Sequence, residues 1–223
     1  MADEWYGDIL QKGDYNFDYN KICDSFLEII NNFKTSDYES IGERLGMNPF
    51  DLFMLHTFMS TNNINHVLEL GSGTSSKFID SLKVKRKSFA LECIYHDDVN
   101  FEKMDLFYSY EIVQSYLVDN DVNLILIDCE HSERMAKLIT DKFLKKVEYK
   151  LPIFIHDWFD FGKETYTEQI FYYNNLFTNY DLHLMTDLPN KQIKKLTEAN
   201  SQLNNQFEVP RCSAILTPKE WKM

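Results

Sequence analysis

Apolar residues recur at helical spacing in two segments in the first quarter of the chain. These are residues 22–33 (ICDSFLEIINNF) and residues 49–59 (PFDLFMLHTFM). Side chains three and four positions apart lie on the same face of a helix, so both segments are predicted to be helices that pack one face against a core.

Short apolar runs rich in branched residues follow, most of them separated by helix-like segments or loops. They cover residues 66–70, 88–92, 111–117, 123–128 and 152–157. This alternation predicts a parallel sheet covered by helices, since the near-continuous apolar character of LILI and IFI suits strands buried on both faces. Two later runs, 181–187 and 211–218, are expected to form a closing antiparallel pair.

The predicted fold class is therefore α/β, with a Rossmann-like sheet. A chain of 223 residues with 44% hydrophobic content fits one domain with a sizeable core. We expect a helical extension over residues 1–48 and the main domain over residues 49–223. Within that domain, residues 187–209 are rich in Asn, Gln and Lys, and we interpret them as a polar insertion.

Charge and composition exclude several classes of function. The net charge of −12 argues against nucleic-acid binding, because that binding depends on clustered Lys and Arg. The basic clusters at 83–87 and 191–195 are short and are predicted to be solvated faces. We find neither a membrane-spanning stretch nor a signal peptide and expect a cytoplasmic protein. The four scattered cysteines suggest reduced thiols.

The stretch HVLELGSGTSSKF, residues 66–78, is a strand that runs into a glycine turn. In open α/β sheets, ligands bind outside the carboxyl ends of the strands, so this turn is a candidate binding loop. Gly71 and Gly73 allow close backbone approach or a positive φ, and the three hydroxyl residues at 74–76 can cap the next helix. A dinucleotide is disfavoured because Ser76 replaces the third glycine and Glu69 would face a pyrophosphate. A carboxylate there suits a positively charged ligand.

The segment ELGSGTS resembles motif I of the class I S-adenosylmethionine-dependent methyltransferases. Further segments match in order: NLILIDCEHS resembles the strand 4 motif of small-molecule O-methyltransferases, and PIFIHDW resembles the end of their strand 5. The resemblance implies S-adenosylmethionine as cofactor and an acid after strand 2 that binds the ribose hydroxyls. The implied cofactor-binding residues are Glu69, Gly71, Ser72, Gly73, Thr74, Ser75, Glu92, Cys93 and Asp128.

Methyl transfer to a hydroxyl needs a base or a metal ion to activate the oxygen. By resemblance, His131 is the expected base and Asp128 is either a metal ligand or the residue that orients the histidine. Asp128 and Asp157 could share a Mg²⁺ or Mn²⁺ ion, because strands 4 and 5 are neighbours in the family. Trp158 stands where the family has a further acid or amide, so the metal stays open.

The acceptor is expected to be a small molecule, with a sugar or glycan hydroxyl favoured by resemblance. His156, Trp158 and Asp160 are candidate acceptor-binding residues, and packing in the core is the alternative for the aromatic ring. A second hypothesis is a methyltransferase-like fold that acts only as a binding module. A nicotinamide oxidoreductase is disfavoured by Glu69 and Ser76. A homodimer is left open.

Overall fold

The computed structural model describes residues 19–32, 47, 49–92, 97–158, 170, 175–183, 190–199 and 213–221. The helices in these ranges are α1 (Tyr19–Asn32), α2 (Pro49–Thr61), α3 (Thr74–Ser81), α4 (Tyr110–Asp119), α5 (Glu133–Leu138), a π-helical turn (Ile139–Leu144), a 3-10 turn (Leu176–Thr178) and α6 (Asn190–Ala199). The strands are β1 (His66–Gly71), β2 (Lys85–Ala90), β3 (Phe101–Lys103), β4 (Leu124–Asp128), β5 (Ile153–Ile155), β6 (Tyr180–His183) and β7 (Ala214–Pro218).

The described strands form one seven-stranded sheet in the order β3-β2-β1-β4-β5-β7-β6. Strands β1 to β5 run parallel, and β7 lies antiparallel between β5 and β6. The predicted fold class, α/β with a Rossmann-like sheet that is mostly parallel, is confirmed. The expected antiparallel pair at the end of the chain is confirmed as β6 and β7.

Helices cover both faces of the sheet, because successive side chains of the central strands point in opposite directions. On one face, Val67 and Leu126 pack with apolar residues of α1, α2 and α3. On the other face, Leu68 and Ile127 pack with α4, α5 and the π-helical turn. The central strands are thus buried on both sides, as their continuous apolar sequence predicts.

The two predicted N-terminal helices are confirmed as α1 and α2. The interpretation of residues 111–117 as one of the strand-like runs was wrong, since this run lies in α4 and buries Val113 and Leu117, one helical turn apart. The strand that occupies this place in the sheet is β3, which has only three residues and was not predicted. The basic cluster at 83–87 is not simply a solvated face, because Arg86 lies in β2 and is buried.

Helix α6 lies within the predicted polar insertion and packs against α1. Lys195 Nζ lies 2.6 Å from Asp24 Oδ1 and 3.3 Å from the carbonyl oxygen of Asn20, and Leu196 is buried with the apolar residues of α1. The boundary at residue 48 and the limits of the insertion stay predictions. No helix among the described residues is both long and apolar enough to span a membrane.

Candidate active site at the carboxyl ends of β1, β4 and β5

The strand order reverses at β1, which pairs with β2 on one side and with β4 on the other. This is the point in a doubly wound sheet where the carboxyl ends of the strands open a crevice for ligands. Gly71 at the end of β1 and Asp128 at the end of β4 lie side by side there as register partners. Two of the predicted site residues are therefore neighbours.

Gly71 is required at this point by two features of the backbone. Its φ of +127° is a conformation that L side chains rarely adopt. A Cβ at this position would stand 2.1 Å from the carbonyl oxygen of Asp128, well inside van der Waals contact. The close approach made possible by this glycine is thus to strand β4. Gly73 has an extended φ of −172° and is the N-cap of α3.

Glu69 is fully buried beneath the glycine loop. Its Oε1 accepts a hydrogen bond from Ser75 Oγ at 2.6 Å, and its Oε2 accepts one from Ser76 Oγ at 2.7 Å. Ser88 Oγ and, at 3.3 Å, the Arg86 guanidinium also donate to Oε2. Burial raises the pKa of Glu69, while Arg86 and the serines oppose that rise.

These contacts change the role expected for Glu69. Both carboxylate oxygens are engaged by protein donors, so the side chain holds the loop from beneath. Ser76 connects Glu69 to the backbone of the loop, because its Oγ also accepts the backbone N–H of Gly73 at 3.1 Å. Direct contact of Glu69 with a cofactor therefore stays a prediction that this geometry does not favour. The argument against a dinucleotide that relied on Glu69 facing the ligand loses its basis.

Glu92 is exposed two residues beyond the end of β2, on the side of β1 away from β4. An exposed carboxylate there can accept hydrogen bonds from a ligand in the crevice. Ser72 lies in the loop between β1 and α3, and Thr74 is the first residue of α3. Cys93 lies outside the described residues.

The side chain of Asp128 pairs with a histidine from the neighbouring strand end. His156 Nδ1 donates to Asp128 Oδ1 at 2.9 Å. Burial would raise the pKa of Asp128, but the charge and hydrogen bond of His156, together with the charge of His131, lower it below its ordinary value. The histidine that Asp128 orients is thus His156, and the orientation of the predicted base His131 by Asp128 stays a prediction.

Two further carboxylates surround His156. Its Nε2 lies 3.7 Å from Oδ2 of Asp51 on α2 and 3.5 Å from Oδ1 of Asp157. Asp157 adopts a left-handed conformation with φ of +52°, which turns the chain directly after β5. Burial would lower the pKa of His156, but the carboxylates of Asp128, Asp157 and Asp51 raise it to about 9. The ring is therefore a cation at neutral pH.

A divalent ion does not fit this arrangement of donors. Asp128 and Asp157, the predicted ligands, both face the ring of His156, and a protonated imidazole presents N–H groups where a metal needs an electron pair. Within the described ranges, no group of three or more His, Cys, Asp or Glu side chains could hold a metal ion. The chemistry proposed below therefore uses no metal.

His131 lies in the loop between β4 and α5, beside a small recess. Its neighbour Ser132 is the N-cap of α5 and accepts the backbone N–H of Met135 at 3.2 Å. The recess has room for about one water molecule, and its lining residues are Ile127, Glu130, His131, Ser132, Met135, Ala136, Ile139 and Ile170. His131 thus lies near Asp128, whose pKa its charge helps to lower.

Trp158 is fully buried and contacts Phe177 edge to face, with ring centroids 6.0 Å apart. This placement favours the alternative that the ring packs in the core, and it does not favour a wall for an acceptor. His156 is buried among carboxylates, so its described contacts likewise lie within the protein. Asp160 lies outside the described residues.

Two site residues were missed in the sequence. Asp51 interrupts an apolar helix, and a lone acid in such a segment signals a buried partner. Arg86 lies in β2, where buried and more exposed side chains alternate from Lys85 to Ser88. In a strand every second side chain points to the same face, so one basic residue of this run could be expected to point into the protein.

No protein-family model matches the chain, and neither does any curated protein. Among the solved structures similar to this chain are two methyltransferases. A SAM dependent methyltransferase from Archaeoglobus fulgidus is 16% identical with a TM-score of 0.46, and the match covers 82% of this chain and 99% of that one. MycE methyltransferase from the mycinamycin biosynthetic pathway, in complex with Mg, SAH and mycinamycin VI, is 10% identical with a TM-score of 0.40. This match covers 95% of this chain and 58% of that one. Likeness at this level carries no conclusion about activity.

Proposed function

We propose that this protein is an S-adenosylmethionine-dependent O-methyltransferase that acts on a hydroxyl of a small acceptor. One observation carries the proposal: β7 lies antiparallel between β5 and β6 in a sheet that reverses its strand order at β1. A dinucleotide-binding Rossmann sheet continues as 3-2-1-4-5-6, so the inserted strand separates the two classes.

The glycine loop supports the choice of cofactor. Motif I of the resembled family, ELGSGTS, coincides with the turn at Gly71 and the start of α3, at the reversal point of the sheet. Glu92 would accept hydrogen bonds from the two ribose hydroxyls, and the backbone from Ser72 to Thr74 would hold the amino-acid part of the cofactor. These roles come from the resemblance and from the positions of the loops.

The bound cofactor supplies a methyl group on a positively charged sulfur. The residues of this chain must then place an acceptor oxygen in line with that methyl group and take its proton. His131 is the proposed base because it borders the recess beside Asp128. His156 is unsuited to this task, since a ring already protonated at neutral pH cannot accept the proton.

The proposed acceptor class is a sugar or glycan hydroxyl, and this choice comes from the resemblance. The recess beside His131 has room for about one water molecule and does not define the acceptor. Glu130 and Ser132 lie beside His131 and offer hydrogen-bonding groups to such an acceptor.

The test is methyl transfer from isotopically labelled S-adenosylmethionine to a panel of free sugars, glycosides and phenols, with the product located by mass spectrometry and NMR. We expect label on an acceptor oxygen, with sugars among the best acceptors. Label on nitrogen or carbon would contradict O-methylation, and preference for phenols over every sugar would contradict the acceptor class.

A further inference from the structure

Arg86 lies at the centre of a buried ion-pair network that the chemistry above does not use. Its side chain has 0% exposure. Its Nε and one terminal nitrogen donate to the two oxygens of Asp80 at 3.0 and 2.7 Å. The same terminal nitrogen donates to both oxygens of Asp98 at 2.9 Å, and the other donates to Glu69 at 3.3 Å. One guanidinium thus joins β1, α3 and the loop before β3.

One of these partners supports the glycine loop of the candidate cofactor site. Glu69 lies in β1 and accepts hydrogen bonds from Ser75 and Ser76 in the first turn of α3, directly after the glycine loop. Asp98 lies in the connection between β2 and β3, holds the guanidinium through both of its oxygens, and accepts the backbone N–H of Asn100 at 2.9 Å. The third partner, Asp80, lies near the end of α3 with 42% of its side chain exposed.

We propose that Arg86 is a positioning residue that fixes Glu69 and, through it, the glycine loop, and thereby sets the affinity for the nucleoside cofactor. This inference rests on the proposed function. A planar guanidinium presents five N–H donors in a fixed fork, and Arg86 directs them to three carboxylates at once. Lysine, a point charge on a flexible stem, cannot hold three carboxylates in fixed directions.

The three carboxylate partners of Arg86 differ in exposure, and this difference separates a role in ligand binding from a role in stability alone. Asp80 is the partly exposed partner of Arg86. The side chains of the other two partners, Glu69 and Asp98, are 0% and 6% exposed. Removing the charge of Asp80 should change the stability of the fold and leave the affinity for the ligand unchanged. Changing Arg86 or Asp98 should displace Glu69 and with it the glycine loop, and a displacement of about 1 Å in a binding group is enough to weaken an oriented interaction severely.

The experiment compares Arg86→Lys and Asp98→Asn with the matched control Asp80→Asn. Calorimetry gives the Kd of S-adenosylhomocysteine, urea unfolding gives stability, and initial rates give kcat and the KM for S-adenosylmethionine. We expect a Kd and KM raised about tenfold in Arg86→Lys and Asp98→Asn, with kcat changed less than about twofold. Asp80→Asn should lower the unfolding midpoint and leave the Kd near that of the wild type.

Equal Kd values in the wild type, Arg86→Lys and Asp98→Asn would overturn the inference, and so would an equal loss of affinity in Asp80→Asn. If Arg86→Lys fails to fold, Asp98→Asn decides, because asparagine keeps the shape of the aspartate while removing its charge. A wild-type protein that binds no S-adenosylhomocysteine contradicts the proposed function itself. Wild-type binding with unaffected variants contradicts only the role of Arg86.

Discussion

Replacing Gly71 with alanine tests the geometry of the candidate site most severely. The substitution forces a side chain into a φ of +127° and places its Cβ 2.1 Å from the Asp128 carbonyl oxygen. Backbone strain of this kind costs about 1–3 kcal/mol, and relieving the overlap by shifting β4 costs a similar amount. The expected loss of about 2–6 kcal/mol is a large part of the 5–15 kcal/mol typical of a domain.

Equilibrium urea unfolding followed by far-UV circular dichroism measures this loss as a shift of the midpoint. We expect a midpoint lower by about 1–2 M for Gly71→Ala, given typical slopes of the free energy against urea. Gly73→Ala is the matched control in the same loop, because its φ of −172° suits any residue, and its effect should stay below about 1 kcal/mol. A normal midpoint for Gly71→Ala, or a larger loss in Gly73→Ala, would refute the reasoning.

Three further predictions concern the chemistry of the site. His131→Ala should lower the rate of methyl transfer by about 10²–10⁴-fold while the Kd for S-adenosylhomocysteine is kept; an unchanged rate excludes His131 as the base. Treatment with EDTA should change neither the rate nor the thermal midpoint, and added Mn²⁺ should give no bound-ion EPR signal; restoration of lost activity by Mg²⁺ argues against a metal-free site. The pKa of His156, raised from 6.5 to about 9, stabilises the fold by about 3 kcal/mol below pH 6.5, and this stability should fall as the pH rises through 9. His156→Gln should flatten the fall measured by urea unfolding, and an equally steep fall in that variant contradicts the assignment.

The sheet could be predicted from sequence where burial on both faces leaves a continuous apolar run. LILI and IFI became β4 and β5, and ELGSGTS marked the turn after β1. The error at residues 111–117 arose because branched residues favour strands intrinsically, whereas Val113 and Leu117 follow the helical spacing. Strand β3 has too few residues, and too many charges, to give a hydrophobic period.

The site was harder to predict because its contacts join residues distant in sequence. The position of Glu69 two residues before Gly71 suggested a ligand contact, but its actual partners include Ser88 and Arg86 on the next strand. The pairing of His156 with Asp128 follows from the adjacency of β4 and β5, yet Asp51 reaches the same ring from a helix about 100 positions earlier. Such long-range pairs leave no mark on local periodicity.

The central claim, that the crevice beside the glycine loop binds S-adenosylmethionine, is tested most directly by calorimetric titration of S-adenosylhomocysteine into the wild type and Glu92→Ala, with and without Mg²⁺. We expect one site per chain, affinity independent of Mg²⁺, and weaker binding in Glu92→Ala because the ribose hydroxyls lose their acceptor. A wild-type protein that binds none would contradict the claim and make a methyltransferase-like binding module the better account of the fold.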